Sequence, residues 1–161
     1  LGLATTAFCQ DFSKFPNTEQ GAKDLLQEFA KPGADIKSLS AKLQPSTKDY
    51  ESVFLPELAK RMIEEYTPAW KEGLIKIAPK PEQTEVQVFS ATSAEIKGWT
   101  GNAKKHFAGG YEQLGPWLKD DLVIYRFRYV KPGESLGMAY DGLAHVNGQW
   151  RYFPKAYRLV K

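Results

Sequence analysis

Asp141 and His145 stand four residues apart in a segment that alternates like a strand, and Trp150 and Tyr152 follow across the dipeptide Asn147-Gly148. A carboxylate and an imidazole are natural partners for general acid–base chemistry, because histidine titrates near neutrality. Asn-Gly between two apolar runs predicts a type I′ hairpin turn, since both central residues need positive φ. That turn sets a register: Val146 opposite Gln149, His145 opposite Trp150, Ala144 opposite Arg151, Leu143 opposite Tyr152 and Gly142 opposite Phe153. Alternation then predicts Asp141, Leu143, His145, Trp150 and Tyr152 on one face, with Gly142, Ala144, Arg151 and Phe153 on the other. At about 3.3 Å per residue, Asp141 and His145 are roughly 13 Å apart. They cannot touch directly. The cluster therefore reads as one wall of a ligand pocket, and no catalytic residue is assigned.

Arg126 and Arg128 alternate in the preceding strand, with Arg151 as a third guanidinium. Together they could clamp a carboxylate or a phosphate. Solvated positions protecting a sheet are the other reading of the same pattern. Lys104-Lys105-His106 lies between two glycine pairs but lacks phosphate-loop spacing. Gly109-Gly110 could hinge a lid beside it.

Several chemistries find no support. The chain has two histidines, not closely spaced, and one cysteine, Cys9, so neither a zinc centre nor a disulfide within the chain is expected. No acidic loop has calcium spacing, no G-x-S-x-G is present and no G-x-G-x-x-G follows a strand. No metal or cofactor is assigned. The stretch Tyr125-Arg-Phe-Arg-Tyr129 has the chemistry of a base-stacking platform, but a net charge of +3 is too small to expect a nucleic-acid partner. The charge is uneven: residues 103–161 carry ten Lys/Arg against five Asp/Glu, and the remainder twelve against fourteen. A basic C-terminal half suits an anionic ligand.

The elements that must position these residues divide the chain at a change of period. With 161 residues, a single domain with a sizeable core is expected. Residues 17–73 read as helical. Asn17 caps a helix carrying Ala22, Leu25, Leu26 and Phe29; Asp35 caps a second and Ser46 with Asp49 a third. Pro56 opens a fourth, which Thr67-Pro68 should kink or end. Residues 84–158 read as mainly β. A strand at 85–90 precedes a capping box at Thr92 and Glu95, and residues 111–118 lead into strands at 121–130, 136–146 and 149–157. Helices first and a meander last predict an α+β fold, with the N-terminal helices on one face of a curved, mainly antiparallel sheet.

Residues 1–9 read as the end of an apolar signal segment, with Ala7 and Cys9 at the small-residue positions of a cleavage site. Export, to the periplasm for example, is the expectation; an ordinary ordered N-terminal segment of a cytoplasmic protein is the rival. No apolar run is long enough to span a membrane.

This order of elements resembles the NTF2-like (cystatin-like α+β) superfamily in layout, over residues 17–158. The segments Leu26-Gln-Glu-Phe-Ala-Lys-Pro-Gly-Ala-Asp35, Gly137-Met-Ala-Tyr-Asp-Gly-Leu143 and Val146-Asn-Gly-Gln-Trp-Arg-Tyr-Phe-Pro-Lys155 resemble an uncharacterised family of small bacterial, often exported proteins. That resemblance transfers no catalytic residues. The NTF2-like layout implies a cone-shaped pocket between sheet and helices. The leading expectation is a non-catalytic module holding a small ligand, anionic if the arginines take part, at Asp141, His145, Trp150, Tyr152, Arg126 and Arg128. The alternatives are an NTF2-like lyase or isomerase with His145 or Asp141 as base, and a protein–protein module of the cell envelope. A homodimer is compatible with each.

Overall fold

The computed structural model describes residues 12–160; the signal-like segment at residues 1–9 lies outside them. Helix α1 (Glu19–Gln27) begins one residue later than the sequence suggests, because Thr18 is the cap and its Oγ1 accepts from Gly21 N at 2.9 Å. Asn17 instead accepts the Tyr125 hydroxyl at 2.8 Å, tying the helix entry to the sheet. Asp35 caps α2 (Ile36–Ala41), and a complete Ser46–Asp49 capping box opens α3 (Thr47–Val53), both as expected. Helix α4 (Pro56–Lys71) has proline at its first turn and continues past Pro68 rather than ending there. Pro68 falls in the last turn, where the lost backbone donor costs one bond, and buried Trp70 keeps that turn in place.

Strand β1 (Glu85–Thr92) leads into α5 (Ser93–Gly98), capped by the expected Thr92–Glu95 box. The stretch between the two glycine pairs holds helix α6 (Gly101–His106), and residues 111–118, read as leading into the strands, are mostly helical: α7 (Gly110–Leu114) and a 3₁₀ turn at Gly115–Trp117. Ala103, Phe107, Tyr111 and Leu114 are all buried, and their spacing is helical. Gly110 is no hinge. A Cβ there would lie 2.5 Å from the Tyr157 ring, so the glycine is a close-packing position.

Strands β2 (Val123–Val130), β3 (Gly137–Val146) and β4 (Gln149–Tyr152) complete an antiparallel sheet of order β1-β2-β3-β4. The α+β architecture, with N-terminal helices on a curved, unclosed sheet, is the one the sequence predicts. The hairpin register is also as predicted from Val146–Gln149 to Leu143–Tyr152, with Asn147 at φ 52° and Gly148 at φ 74°. Two details differ. Pro154 follows two residues after β4 ends, and Tyr157 belongs to a 3₁₀ turn at Ala156–Leu159. Between β2 and β3 the register slips: Tyr125 faces Leu143 but Arg126 faces Asp141, leaving Gly142 as an extra residue.

That bulge reverses the alternation below it. Gly142 sits at φ 99°, and a Cβ there would come within 2.0 Å of the Phe153 carbonyl oxygen. Asp141 consequently shares a face with Arg126, opposite the face of Leu143, His145 and Trp150. Both faces are core. Val86, Tyr125, Phe127, Tyr129, Leu143, Trp150 and Tyr152 pack with α1 on one side. Ala91, Ile124, Ala144, Val146 and Phe153 pack with α3–α7 on the other. The expectation that the N-terminal helices lie on one face is therefore corrected: α1 covers one face and α3 and α4 the other, which explains why both carry apolar residues in the sequence.

Candidate functional site

The hairpin polar groups that looked available for a ligand are largely used to hold the hairpin. Asn147 Nδ2 donates to Asp49 Oδ1 and Arg151 Nε to Asp49 Oδ2, each at 2.8 Å. Ser46 N adds a third donor at 2.9 Å, on a carboxylate that is 3% exposed. Burial pushes the Asp49 carboxyl up, but these donors outweigh it and hold it below the ordinary carboxylate range. Trp150 is core: its Nε1 donates to the Phe15 carbonyl at 2.8 Å, and its ring packs edge-on to Tyr125 and His145. Burial pushes His145 down, toward a neutral imidazole set edge-on against tryptophan.

The two arginines of β2 are likewise engaged. Arg126 Nη1 donates to the His106 carbonyl, and Arg128 Nε donates to Gln87 Oε1 at 2.6 Å. The Arg128 guanidinium lies 5.3 Å from the Phe89 ring centroid, and His106 stacks on the same ring at 4.2 Å. Burial, then the charges of Lys105, Arg126 and Arg128, push His106 down. This group ties α6 to β1 and β2.

Asp141 and Tyr152 are the two predicted residues that the structure brings to one cleft. Because β4 stops at Tyr152, β3 from residue 138 to 141 is paired with β2 alone. The chain beyond Pro154 and the segment after α4 flank the gap. The result is a cleft of about 400 Å³ lined by Tyr66, Leu74, Ile75, Lys76, residues 138–141, Tyr152, Pro154, Lys155 and Arg158. That volume lies in the usual range for small-ligand sites. Asp141 Oδ1 accepts the buried Tyr111 hydroxyl at 2.8 Å. Burial pushes the Asp141 carboxyl up, while the Tyr111 bond and the charges of Arg126, Lys155 and Arg158 oppose the shift. Tyr111 is pushed well up by burial and by Asp141, so it remains a donor. Tyr140 accepts Ala78 N at 3.1 Å and donates to Met138 Sδ at 2.9 Å, fixing one wall.

Charge in this cleft is lopsided. Lys76, Lys155 and Arg158 face one carboxyl, Asp141. Such a set can hold an anion, with tyrosine hydroxyls as further donors. A groove of about 490 Å³ between α3 and α4, lined by Phe54, Ala59 and Ile63, is larger, but its charged groups are exposed Glu51, Lys60, Glu64 and Lys119. No buried polar group converges there. Among the described residues no cluster of His, Cys, Asp and Glu could hold a metal ion, and no helix is long and apolar enough to cross a membrane.

Sequence reasoning missed Tyr66, Tyr111, Lys76, Lys155 and Arg158. Two signals bore on them: a lone glycine inside a strand, at Gly142, suggests a bulge, and Pro154 marks a strand end. Comparison of the chain with protein-family models, with curated proteins and with solved structures returned no match.

Proposed function

We propose that the protein is a non-catalytic binding module that takes a small ligand bearing an anionic group into the cleft beside Asp141 and Tyr152. The observation that carries this reading is the excess of cations, Lys76, Lys155 and Arg158, around an open cleft with tyrosine walls. Titration of the labelled protein with citrate and with benzoate, followed by amide NMR, tests it. Shifts should concentrate at residues 138–141 and 155–158, and Lys155→Ala with Arg158→Ala should weaken binding at least about tenfold. Uniform small shifts, or affinity unchanged in the double variant, would remove the reading.

One observation favours a second function, proton transfer by Asp141. A carboxyl raised by burial and facing a cleft is a better base near neutrality than an ordinary aspartate. If a substrate is found, Asp141→Asn should abolish its turnover while leaving binding in place. An NTF2-like affiliation and export belong to the same reading as proposals. Their supports are the order of elements and the signal-like residues 1–9, and fractionation of the native host tests the second.

A further inference from the structure

We propose that the ligand of this cleft is an extended peptide ending in a free carboxylate, added as a strand along the open edge of β3; this deepens the anionic-ligand reading and rests on it. The edge is the first reason. Residues 138–141 pair with β2 on one side and border the cleft on the other. A strand edge presents a row of backbone N–H and C=O groups without strand partners. An acyl chain or an aromatic ring laid there would strip water from those groups and return no hydrogen bond. A peptide backbone pairs with them, which is the usual logic of strand addition.

The ends of the edge supply the second reason. Lys155 and Arg158 lie close enough to Asp141 to act on its charge, so two of the three cleft cations sit at that end. A carboxylate seated there makes the peptide run parallel to β3, with its preceding residues toward Met138. Asp141 takes its hydrogen bond from Tyr111, and among the described residues neither Lys155 nor Arg158 makes an ion pair. Exposed apolar side chains accompany the cleft: Leu74 at 69% and Met138 at 37% line it, Met138 at the end of the edge away from Asp141, and Leu136, two residues before Met138, is at 81%. Only one other large hydrophobic among the described residues, Leu55, is as open. Such a patch beside a cleft marks an interaction site. Four residues of edge span about 13 Å, enough for a peptide of about four residues whose alternate side chains meet the patch.

The test uses the full chain and acetyl-Ala-Val-Ala-Val-Leu with a free C-terminus, monitored by calorimetry and by the amide signals of residues 138–141. Its C-terminal amide, a version N-methylated at alternate residues, and laurate serve as comparisons. The free acid should bind. Amidation, N-methylation and Arg158→Ala should each weaken it about tenfold or more, consistent with loss of charge-assisted or backbone hydrogen bonds. Arg158 is exposed, so its variant should keep the wild-type melting midpoint. Laurate or citrate binding at residues 138–141 without peptide binding would overturn the peptide and leave the anionic-ligand reading standing. Peptide binding indifferent to N-methylation would overturn strand addition. Silence of the cleft toward all of these anions would overturn both.

Discussion

Asp141 and Asp49 are two carboxylates in low-water settings, and their partners drive them in opposite directions. Asp141 has one hydroxyl donor and is raised by burial, so the folded chain retains its proton where the unfolded chain has released it. Its contribution to stability is therefore greatest below the unfolded value of about 3.8 and is lost as pH rises through the higher folded value. Asp141→Asn keeps an acceptor for Tyr111 and removes the titration. The variant should gain stability relative to wild type between pH 3.5 and pH 7, read from urea midpoints; a gap that stays constant with pH would contradict this. Asp49 has donors from Asn147, Ser46 and Arg151 and is lowered, so its contribution is present above 3.8 and fades as pH falls through the folded value. Asp49→Ala strands Arg151 and Asn147 and should cost about 3 kcal/mol at pH 7 by urea unfolding. In the sequence Asp49 is legible as a capping residue, because Ser46 stands three positions before it. Its second role, as anchor of the hairpin, depends on residues nearly a hundred positions away, and no local pattern encodes that.

The hairpin and its bulge divide what local pattern can and cannot specify at the scale of elements. Asn147-Gly148 fixes the turn, and the turn fixes four pairs from Val146–Gln149 to Leu143–Tyr152. Beyond that point an extrapolated alternation puts Asp141 on the wrong face, because Gly142 absorbs one residue. Glycine in a strand is a recognised bulge signal, but Gly137 lies in the same strand with a regular pair, Val130. Backbone conformation separates them: a Cβ at either would meet a carbonyl oxygen, of Tyr129 or of Phe153, but only Gly142 has a positive φ, 99°. Gly142→Ala should cost about 3 kcal/mol, combining that clash with a positive φ. Loss of the bulge in the variant would also return Asp141 to the Leu143 face and break its bond to Tyr111, visible as new cross-strand NOEs at Arg126. Helices α6 and α7 escaped the sequence reading for a related reason. Their glycines, Gly101 and Gly110, lie against Glu95 and Tyr157, and only packing distinguishes such residues from loop glycines.

At the scale of the whole molecule, one sheet serves two cores. Residues of β2 and β3 alternate between the cluster on α1 and the cluster on α3–α7, so the shared strands should couple the two clusters in unfolding. Phe127 represents the first and Phe153 the second, and both are essentially inaccessible to solvent. Truncating either to alanine should cost about 3–5 kcal/mol, the range for large aromatic deletions in a core. The cooperative link predicts more than the magnitude. The four tryptophans split by face: Trp70 and Trp150 pack in the first cluster, Trp99 and Trp117 against the second. Two proteins retaining Trp150 or Trp117 alone, with phenylalanine at the other three sites, would report the faces separately. Each carrying Phe153→Ala, they should each show a fluorescence transition in urea that coincides with the same protein's far-ultraviolet dichroism. A Trp117 fluorescence transition that precedes the dichroism of its own protein would show that the faces are separate cooperative units, and the shared strands would then not couple them.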